Sequence, residues 1–219
     1  MFLSRFYLNK QRRDARRFLG SPQIMHAAVL ASFPPAATEQ RSDGRVLWRL
    51  DNAATTPTLY IVSPARPDLT HFVEQVGWPI TPTWETRDYQ PVLDDLTAGQ
   101  RWAFRLTANT TRSTKLTAEA GRSQRYGHVT ADQQQSWLID RLGTLGVGLV
   151  KTAAGDPELA LRDRGVRRFG RQGSTVTLTV GTFDGVLQID DPDRLRAALV
   201  DGIGPAKAYG CGLMTLARV

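Results

Sequence analysis

The sequence has a single cysteine, three histidines and four lysines among its 219 residues. One cysteine, Cys211, cannot form a disulfide framework within the chain, and such sparing use is typical of a reducing, cytoplasmic compartment. No Cys and His residues recur at zinc-ligand spacing, so no metal or other cofactor is predicted. No apolar run approaches the ~20 residues of a membrane-spanning helix. The N-terminal apolar run is interrupted by Arg5 and lacks a cleavage site, so we do not expect a signal peptide.

Arginine is what the sequence has in excess. The chain carries 28 basic and 21 acidic residues, a formal net charge of +7. Residues 96–219 hold 17 of the basic and 11 of the acidic residues. The second half is therefore the expected docking surface for a polyanion, and the planar guanidinium group suits phosphate. A GC-rich genome would give the same arginine bias without any function.

Hydrophobic periodicity predicts the element order β-α-β-β-α-β twice. In the first half, strands are expected at residues 2–9, 45–51, 59–62 and 83–89, with helices at 12–19, 22–33 and 69–76. Residues 90–100 are interpreted as a connection. In the second half, strands are expected at 102–108, 165–171, 174–183, 186–189 and 213–217, with helices beginning near 131 and 192.

This order predicts an α+β protein with two tandem ferredoxin-like, RNA-recognition-motif-like domains, residues 1–95 and 96–219. A capping box at Thr130 and Gln133 is expected to open one helix, and Asp191-Pro192 another. Asp184-Gly185 is interpreted as a tight turn. Residues 109–128 are polar and basic, and are expected to be disordered without RNA. Each sheet is expected to carry helices on one face and to leave the other face free for a partner.

A glycine-rich segment lies near the C-terminus, between the last predicted helix and the last predicted strand. Its residues 202–212 include Gly202, Gly204, Gly210 and Gly212, with Lys207 in the middle. Glycine allows positive φ and close backbone approach, which suits a loop that holds a phosphate. A tight helix-to-strand connection explains the same residues. The segment lacks the Gly-Lys-Ser/Thr of a Walker loop.

His26 is the best candidate for acid–base chemistry. It lies one turn into a helix that Ser21 is expected to cap and Pro22 to begin, where the positive helix end favours neutral imidazole. Neutral imidazole can accept a proton near pH 7. A histidine half-buried at a domain interface is the alternative. His71 and His128 are interpreted as structural or exposed.

With these features together, the chain resembles the CasE family, the precursor-CRISPR-RNA endoribonucleases of type I-E CRISPR antiviral systems. The most specific matches lie at residues 185–187 and 202–213, followed by residues 1–5, 25–34 and 102–109. The resemblance covers the whole chain.

This resemblance implies metal-independent cutting just 3′ of the repeat stem-loop. The upstream 2′-hydroxyl would attack the phosphate and leave a 2′,3′-cyclic phosphate. The family's catalytic histidine falls on His26. Family members often carry Tyr three residues earlier, where this chain has Gln23, which cannot transfer a proton. Gln23 is expected to orient the phosphate, with Tyr209 or Ser32 taking part of the missing role.

The implied partners are the repeat RNA stem-loop, the mature CRISPR RNA and other subunits of the Cascade complex. Lys207, Gly204, Gly210 and Gly212 are expected to hold RNA backbone. Two basic clusters compete for the stem, the first comprising Arg112, Lys115, Arg122 and Arg125. The second lies at a predicted hairpin and includes Arg162, Arg164, Arg167, Arg168 and Arg171. A solvated face is the alternative for each cluster.

Two other functions stay open at this point. Gln23 motivates a catalytically inactive subunit that binds repeat RNA. The other is an unrelated tandem ferredoxin-like enzyme that acts on a small molecule. In that case the arginine excess comes from genome composition.

Overall fold

A computed structural model describes residues 1–34, 44–52, 55–115, 123–171 and 173–219, with backbone only for 113–115 and 123–125. The helices are α1 (Ala15–Gly20), α2 (Pro22–Leu30), α3 (Thr70–Val76), α4 (Gln90–Asp94), α5 (Ala131–Leu142) and α6 (Pro192–Asp201). The strands are β1 (Phe2–Tyr7), β2 (Leu47–Asp51), β3 (Thr58–Ser63), β4 (Trp84–Asp88), β5 (Arg101–Asn109), β6 (Thr111–Lys115), β7 (Ser123–Gly127), β8 (Val147–Leu149), β9 (Leu159–Arg171), β10 (Ser174–Ile189) and β11 (Met214–Arg218).

The first four strands form one antiparallel sheet in the order β2-β3-β1-β4. Helices α1, α2 and α3 cover one face, where Phe6, Met25, Ile61 and Phe72 are buried in a shared core. Even-numbered positions of β1 face these helices because strand side chains alternate. This is the strand order of a ferredoxin-like unit, as the sequence predicts.

The second sheet has the order β11-β5-β10-β8, with β9 also paired to β10. Helices α5 and α6 pack on it through Trp137, Leu138, Leu195 and Leu199. With β8 and β9 together in the place of the second strand, this is a second ferredoxin-like arrangement. The prediction of two tandem ferredoxin-like folds is confirmed, whereas the domain boundary at residue 95 stays a prediction.

The predicted turn at Asp184-Gly185 is wrong, because β10 runs unbroken through both residues. Asp184 pairs with Arg105 of β5 on one side and with Ala160 of β9 on the other. A Cβ at Gly185 would lie 2.4 Å from the carbonyl oxygen of Glu158. Glycine therefore permits a close backbone approach here rather than a reversal.

Two irregular segments of the sequence analysis also differ. Residues 109–128 were expected to be disordered, but the described part forms a hairpin in which β6 pairs with β7. Main-chain hydrogen bonds hold this ribbon together, so its sequence needs no alternation of hydrophobic residues from which the strands could be predicted. The connection at 90–100 contains the short helix α4, which Pro91 helps to begin.

The helix-free face of the first sheet is not open to a partner along its whole length. Leu47 and Val62 on that face are buried in the core of the second sheet. The alternation of apolar residues 46, 48 and 50 with polar residues 45, 49 and 51 predicts that Arg49 faces solvent, yet it is only 1% exposed.

All five guanidinium donors of Arg49 are used. Asp51 accepts two hydrogen bonds, at 2.6 and 3.1 Å. The carbonyl oxygens of Arg105 and Leu213 and the hydroxyl of Thr215 accept the others. A buried charge persists where every donor is satisfied, and this one ties the first sheet to β5 and β11. No helix in the described residues is long and apolar enough to cross a membrane.

Candidate active site

Helix α2 presents His26 and Gln23 one turn apart on the same side. Ser21 caps the helix by accepting a hydrogen bond from the Ile24 amide at 3.3 Å, and Pro22 is its first residue. Met25 and Val29 bury the opposite side in the first core. The predicted cap and the placement of His26 within the first two turns are confirmed.

The glycine-rich segment of the second sheet packs onto α2 and β2 of the first. Its central 3-10 turn, Lys207–Tyr209, brings the Tyr209 ring edge-on to His26, with ring centroids 6.2 Å apart. Tyr209 is 7% exposed and also contacts Phe169 of β9, at a centroid distance of 4.8 Å. Three chain segments that are distant in sequence therefore meet at His26.

Glycines shape this loop through close contacts as well as through positive φ. A Cβ at Gly210 would lie 2.6 Å from the Trp48 ring, and one at Gly204 would lie 3.0 Å from Trp137. The amide of Gly212 donates to Thr107 O at 2.7 Å, so it is not available to a phosphate. The loop is therefore a tight connection, whereas the role of Lys207, Gly204 and Gly210 in holding RNA backbone stays a prediction.

Strand β9 contributes arginines to the same place. Because side chains alternate along a strand, Arg167 and Arg171 share the face of Phe169, which contacts Tyr209. Arg168 points to the opposite face. The positive charge of Arg171 acts on His26, and that of Arg167 on the buried thiol of Cys211. The second basic cluster is therefore divided between two faces of the ribbon.

Two further members of that cluster are engaged within the protein. Arg162 forms an ion pair with Asp184 at 3.3 Å. Arg164 donates to the Gln134 side chain at 2.9 Å and to the Val129 carbonyl oxygen at 2.7 Å. These bonds hold β9 against α5 and β10.

Four buried side-chain polar atoms lack a hydrogen-bond partner in the described part of the chain. They are Gln23 Oε1, His26 Nδ1, Arg45 Nε and Trp48 Nε1. Two lie on α2, Arg45 lies just before β2, and Trp48 lies on β2, which packs against the glycine-rich segment. A buried polar group without a partner is costly, so the two on neighbouring turns of α2, at Gln23 and His26, favour a binding site for a polar ligand.

The electrostatics of the site favour neutral imidazole. Burial lowers the pKa of His26 below its ordinary value of 6.5, and the charges of Arg171 and Arg45 lower it further. Burial and Arg45 also lower the pKa of Lys207, against a small opposing effect of Asp201. The sequence argument from the helix end therefore gives the right direction but misses the main cause, which is burial.

The other sequence candidates lie away from this cluster. The Ser32 hydroxyl donates to Ala28 O at 3.3 Å near the end of α2, and its part in the missing tyrosine's role stays a prediction. His71 packs against the same helix, with Nε2 3.1 Å from Ala28 O, which fits its structural interpretation. Burial lowers the pKa of His128, and the charges of Arg112 and Arg141 lower it further.

The first basic cluster is only partly described. Arg112 is exposed on β6. Lys115 and Arg125 lie on the paired strands β6 and β7, and their side chains are outside the described part, as is the whole of Arg122. Their role as RNA ligands stays a prediction.

Sequence reasoning missed Arg45 and Trp48. The alternation of polar and apolar residues along 45–51 predicts that Arg45 faces solvent and that Trp48 is an ordinary core residue. Only the contact of β2 with the glycine-rich segment brings them to the site.

Comparison with known proteins agrees with this geometry. A family model described as "CRISPR associated protein" matches residues 1–218. CRISPR-associated endoribonuclease Cse3 of Thermus thermophilus is 30% identical, over 99% of this chain and 100% of its own. The chain belongs to this family. Cascade subunit CasE of Escherichia coli K12 is 43% identical over 86 residues, 39% of each chain.

A solved structure extends the comparison to the fold. Thermus thermophilus Cse3, bound to an RNA representing a pre-cleavage complex, superposes with a TM-score of 0.77. The two chains are 29% identical, and the match covers 99% of this chain and 98% of that one. The predicted membership in the CasE family is confirmed.

Proposed function

We propose that this protein is an endoribonuclease that cuts precursor CRISPR RNA 3′ of the repeat stem-loop. It then stays bound to the mature guide as a subunit of a Cascade complex. The observation that carries the proposal is the cluster around His26, where a half-buried imidazole, whose buried Nδ1 has no partner among the described residues, lies among cationic groups that lower its pKa. Family membership and the RNA-bound relative support it.

The reaction is a transesterification that needs no metal. The 2′-oxygen upstream of the cut forms a bond to phosphorus as the bond from phosphorus to the 5′-oxygen breaks. Neutral His26 accepts the 2′-hydroxyl proton. The departing oxygen is protonated by imidazolium or water, which gives a 2′,3′-cyclic phosphate and a 5′-hydroxyl.

The neighbours of His26 position the phosphate. Lys207 supplies positive charge from the glycine-rich segment, and Arg171 supplies it from the end of β9. Gln23 stands where the family often has tyrosine, and its amide donates a hydrogen bond to a phosphate oxygen. The Tyr209 ring holds the imidazole edge-on and fixes its direction. Catalysis in this arrangement comes mainly from positioning and charge.

RNA outside the cut meets two ribbons that extend from the second sheet. The β9–β10 ribbon carries Arg167 and Arg171 on the His26 face and Arg168 on the other. The β6–β7 ribbon carries the first basic cluster, including Arg112. A-form RNA has a deep, narrow major groove, so these contacts recognise shape and phosphates.

A second candidate is a repeat-binding subunit without catalysis. Gln23 favours it, because the amide of glutamine cannot exchange a proton with the substrate as a tyrosine hydroxyl can. The geometry of RNA binding would be the same in both cases, so only chemistry separates them.

The test uses the repeat hairpin of the organism's own CRISPR locus, with the full chain in EDTA. We expect cleavage at one site, a 2′,3′-cyclic phosphate end, and no cleavage when the nucleotide 5′ of the cut is 2′-deoxy. Tight binding without cleavage would establish the second candidate. Absence of binding at low salt would refute both, and a 3′-hydroxyl product would refute the mechanism.

A further inference from the structure

Arg45 lies close to the glycine-rich segment, and the reaction proposed above gives it no role. It lies just before β2, and its amide donates to the carbonyl oxygen of Val200 at the end of α6, at 3.4 Å. A Cβ at the preceding Gly44 would lie 3.4 Å from the side chains of Met1 and Val200. The start of β2 is thus fixed against the helix that leads into the glycine-rich segment.

The residues that follow Arg45 pack against the glycine-rich segment. The side chain of Leu47 would lie 2.7 Å from a Cβ at Gly202, and the Trp48 ring 2.6 Å from one at Gly210. Lys207 lies alongside, with its Cε 3.1 Å from the same Cβ position at Gly202. Arg45 therefore begins at the seam between the first sheet and the loop that carries Lys207 and Tyr209.

The guanidinium group is charged, half-buried and incompletely bonded. Its Nε is buried and has no partner in the described part of the chain, and no ion pair is formed by Arg45 there. Burial is the larger cause of the lowered pKa of both His26 and Lys207, and the charge of Arg45 adds to both shifts. Arg49, four residues later, shows the contrast, because all five of its donors are satisfied by the protein.

We propose that Arg45 is a catalytic phosphate ligand, whose guanidinium group binds the non-bridging oxygens of the scissile phosphate. This role rests on the proposed nuclease function. Negative charge on those oxygens grows as the 2′-oxygen attacks, so the forked cation stabilises the transition state more than the bound substrate. The role fits guanidinium better than ammonium, since two parallel hydrogen bonds match two phosphate oxygens.

Arg171 is the obvious competitor for this role. It is exposed at the end of β9, two residues before Gly173 in the turn of the ribbon. At this position it can bind RNA as the strand passes over the ribbon. The backbone of Arg45 is fixed against the end of α6 by its bond to Val200, and its charge acts on His26. We therefore assign substrate binding to Arg171 and transition-state stabilisation to Arg45.

The experiment compares Arg45→Ala and Arg45→Lys with the unchanged protein and with Arg66→Ala, a matched change at an exposed loop arginine. Single-turnover cleavage is measured at saturating protein, and affinity is measured with the 2′-deoxy hairpin. Arg45→Ala should cleave about 100-fold more slowly, while its affinity changes less than about threefold. Arg45→Lys should lose about tenfold, and Arg66→Ala should match the unchanged protein.

A second readout follows from charge. Removal of the neighbouring cation raises the pKa of His26, so the acidic limb of the pH–rate profile should move to higher pH in Arg45→Ala and stay in place in Arg45→Lys. Among the described residues, Arg171 also acts on His26, Tyr209 packs against its ring and Lys207 lies on the same 3-10 turn as Tyr209, and these are unchanged in both variants.

The proposal is overturned if Arg45→Ala cleaves within about threefold of the unchanged protein, or if its affinity falls as much as its rate. If thermal unfolding shows that the alanine variant does not fold, Arg45→Lys decides, and cleavage at the unchanged rate overturns the proposal. Failure of the nuclease function itself would look different, since the unchanged protein would then bind the hairpin without cutting it, or not bind it.

Discussion

Gly210→Ala tests whether the fit of the glycine-rich segment against β2 sets the active geometry. Gly210 has φ +76, and its added Cβ would lie 2.6, 2.9 and 3.1 Å from three atoms of the Trp48 ring. Trp48 is 3% exposed and packed in the first core, so the ring cannot swing away. The left-handed backbone costs alanine about 1–2 kcal/mol, and overpacking adds about 1–3 kcal/mol.

A loss of about 3 kcal/mol should lower Tm by about 6–12 °C in a chain of this size. The loop must also move, and Tyr209 moves with it. A displacement of about 1 Å can reduce a positioned reaction about 100-fold, so cleavage should fall by that order. Thermal unfolding and single-turnover cleavage of the repeat hairpin measure the two effects.

Gly99→Ala is the matched control. Gly99 has φ +85, but its added Cβ would meet nothing within 4 Å. It should therefore show only the backbone cost of about 1–2 kcal/mol and cleave at the unchanged rate. Equal destabilisation of the two variants, with cleavage unaffected in both, would refute the reasoning about Trp48 and the loop.

Three further predictions concern the site and its RNA contacts. Because burial and two nearby guanidinium groups lower the pKa of His26, neutral imidazole persists below pH 6.5, and the acidic limb of the pH–rate profile should have its midpoint below that value; a midpoint above it would contradict the neutral base. Gln23→Tyr should raise the single-turnover rate about 100-fold, the low end of the usual range for a positioned acid–base group, because a phenol beside His26 can supply a proton relay; an unchanged rate would show that the site works without one. Arg112→Ala should weaken binding and reduce the slope of log affinity against log salt by about 0.7–0.9, with the cleavage rate of bound RNA unchanged; an unchanged slope would remove Arg112 from the RNA surface.

Local signals in the sequence predict much of this fold. Ser21 and Pro22 begin α2 as expected. Thr130 and Gln133 form the capping box, with each side chain accepting a hydrogen bond from the other residue's amide. Such caps depend on residues within one turn of each other, so tertiary structure rarely alters them.

The errors arise where distant chain segments decide the outcome. Asp184-Gly185 has the composition of a hairpin turn, but pairing with strands on both sides keeps it extended, and Arg105 holds the Asp184 carboxylate in a two-point ion pair at 2.6 and 2.7 Å. The alternation of β2 places Arg49 on a polar face, yet that face meets the second sheet. Burial there requires the five hydrogen bonds that only the assembled fold supplies.

The same limit applies to the site. His26 and Gln23 are found from the helix pattern and the family resemblance, because both lie on one local element. Arg45 and Trp48 are not, since no sequence signal separates an arginine that faces solvent from one that faces a neighbouring domain. The family resemblance indicates the type of reaction. The contacts of β2 with the glycine-rich segment then identify Arg45 and Trp48 as additional residues of the site.

The most direct measurement is the single-turnover cleavage rate of His26→Ala on the repeat hairpin, with protein in saturating excess. His71→Ala is the matched control, because His71 also contacts α2 but lies outside the cluster. The account predicts that His26→Ala cleaves about 100- to 10,000-fold more slowly with unchanged affinity for the 2′-deoxy hairpin, while His71→Ala cleaves normally. Cleavage by folded His26→Ala at the unchanged rate would contradict the account.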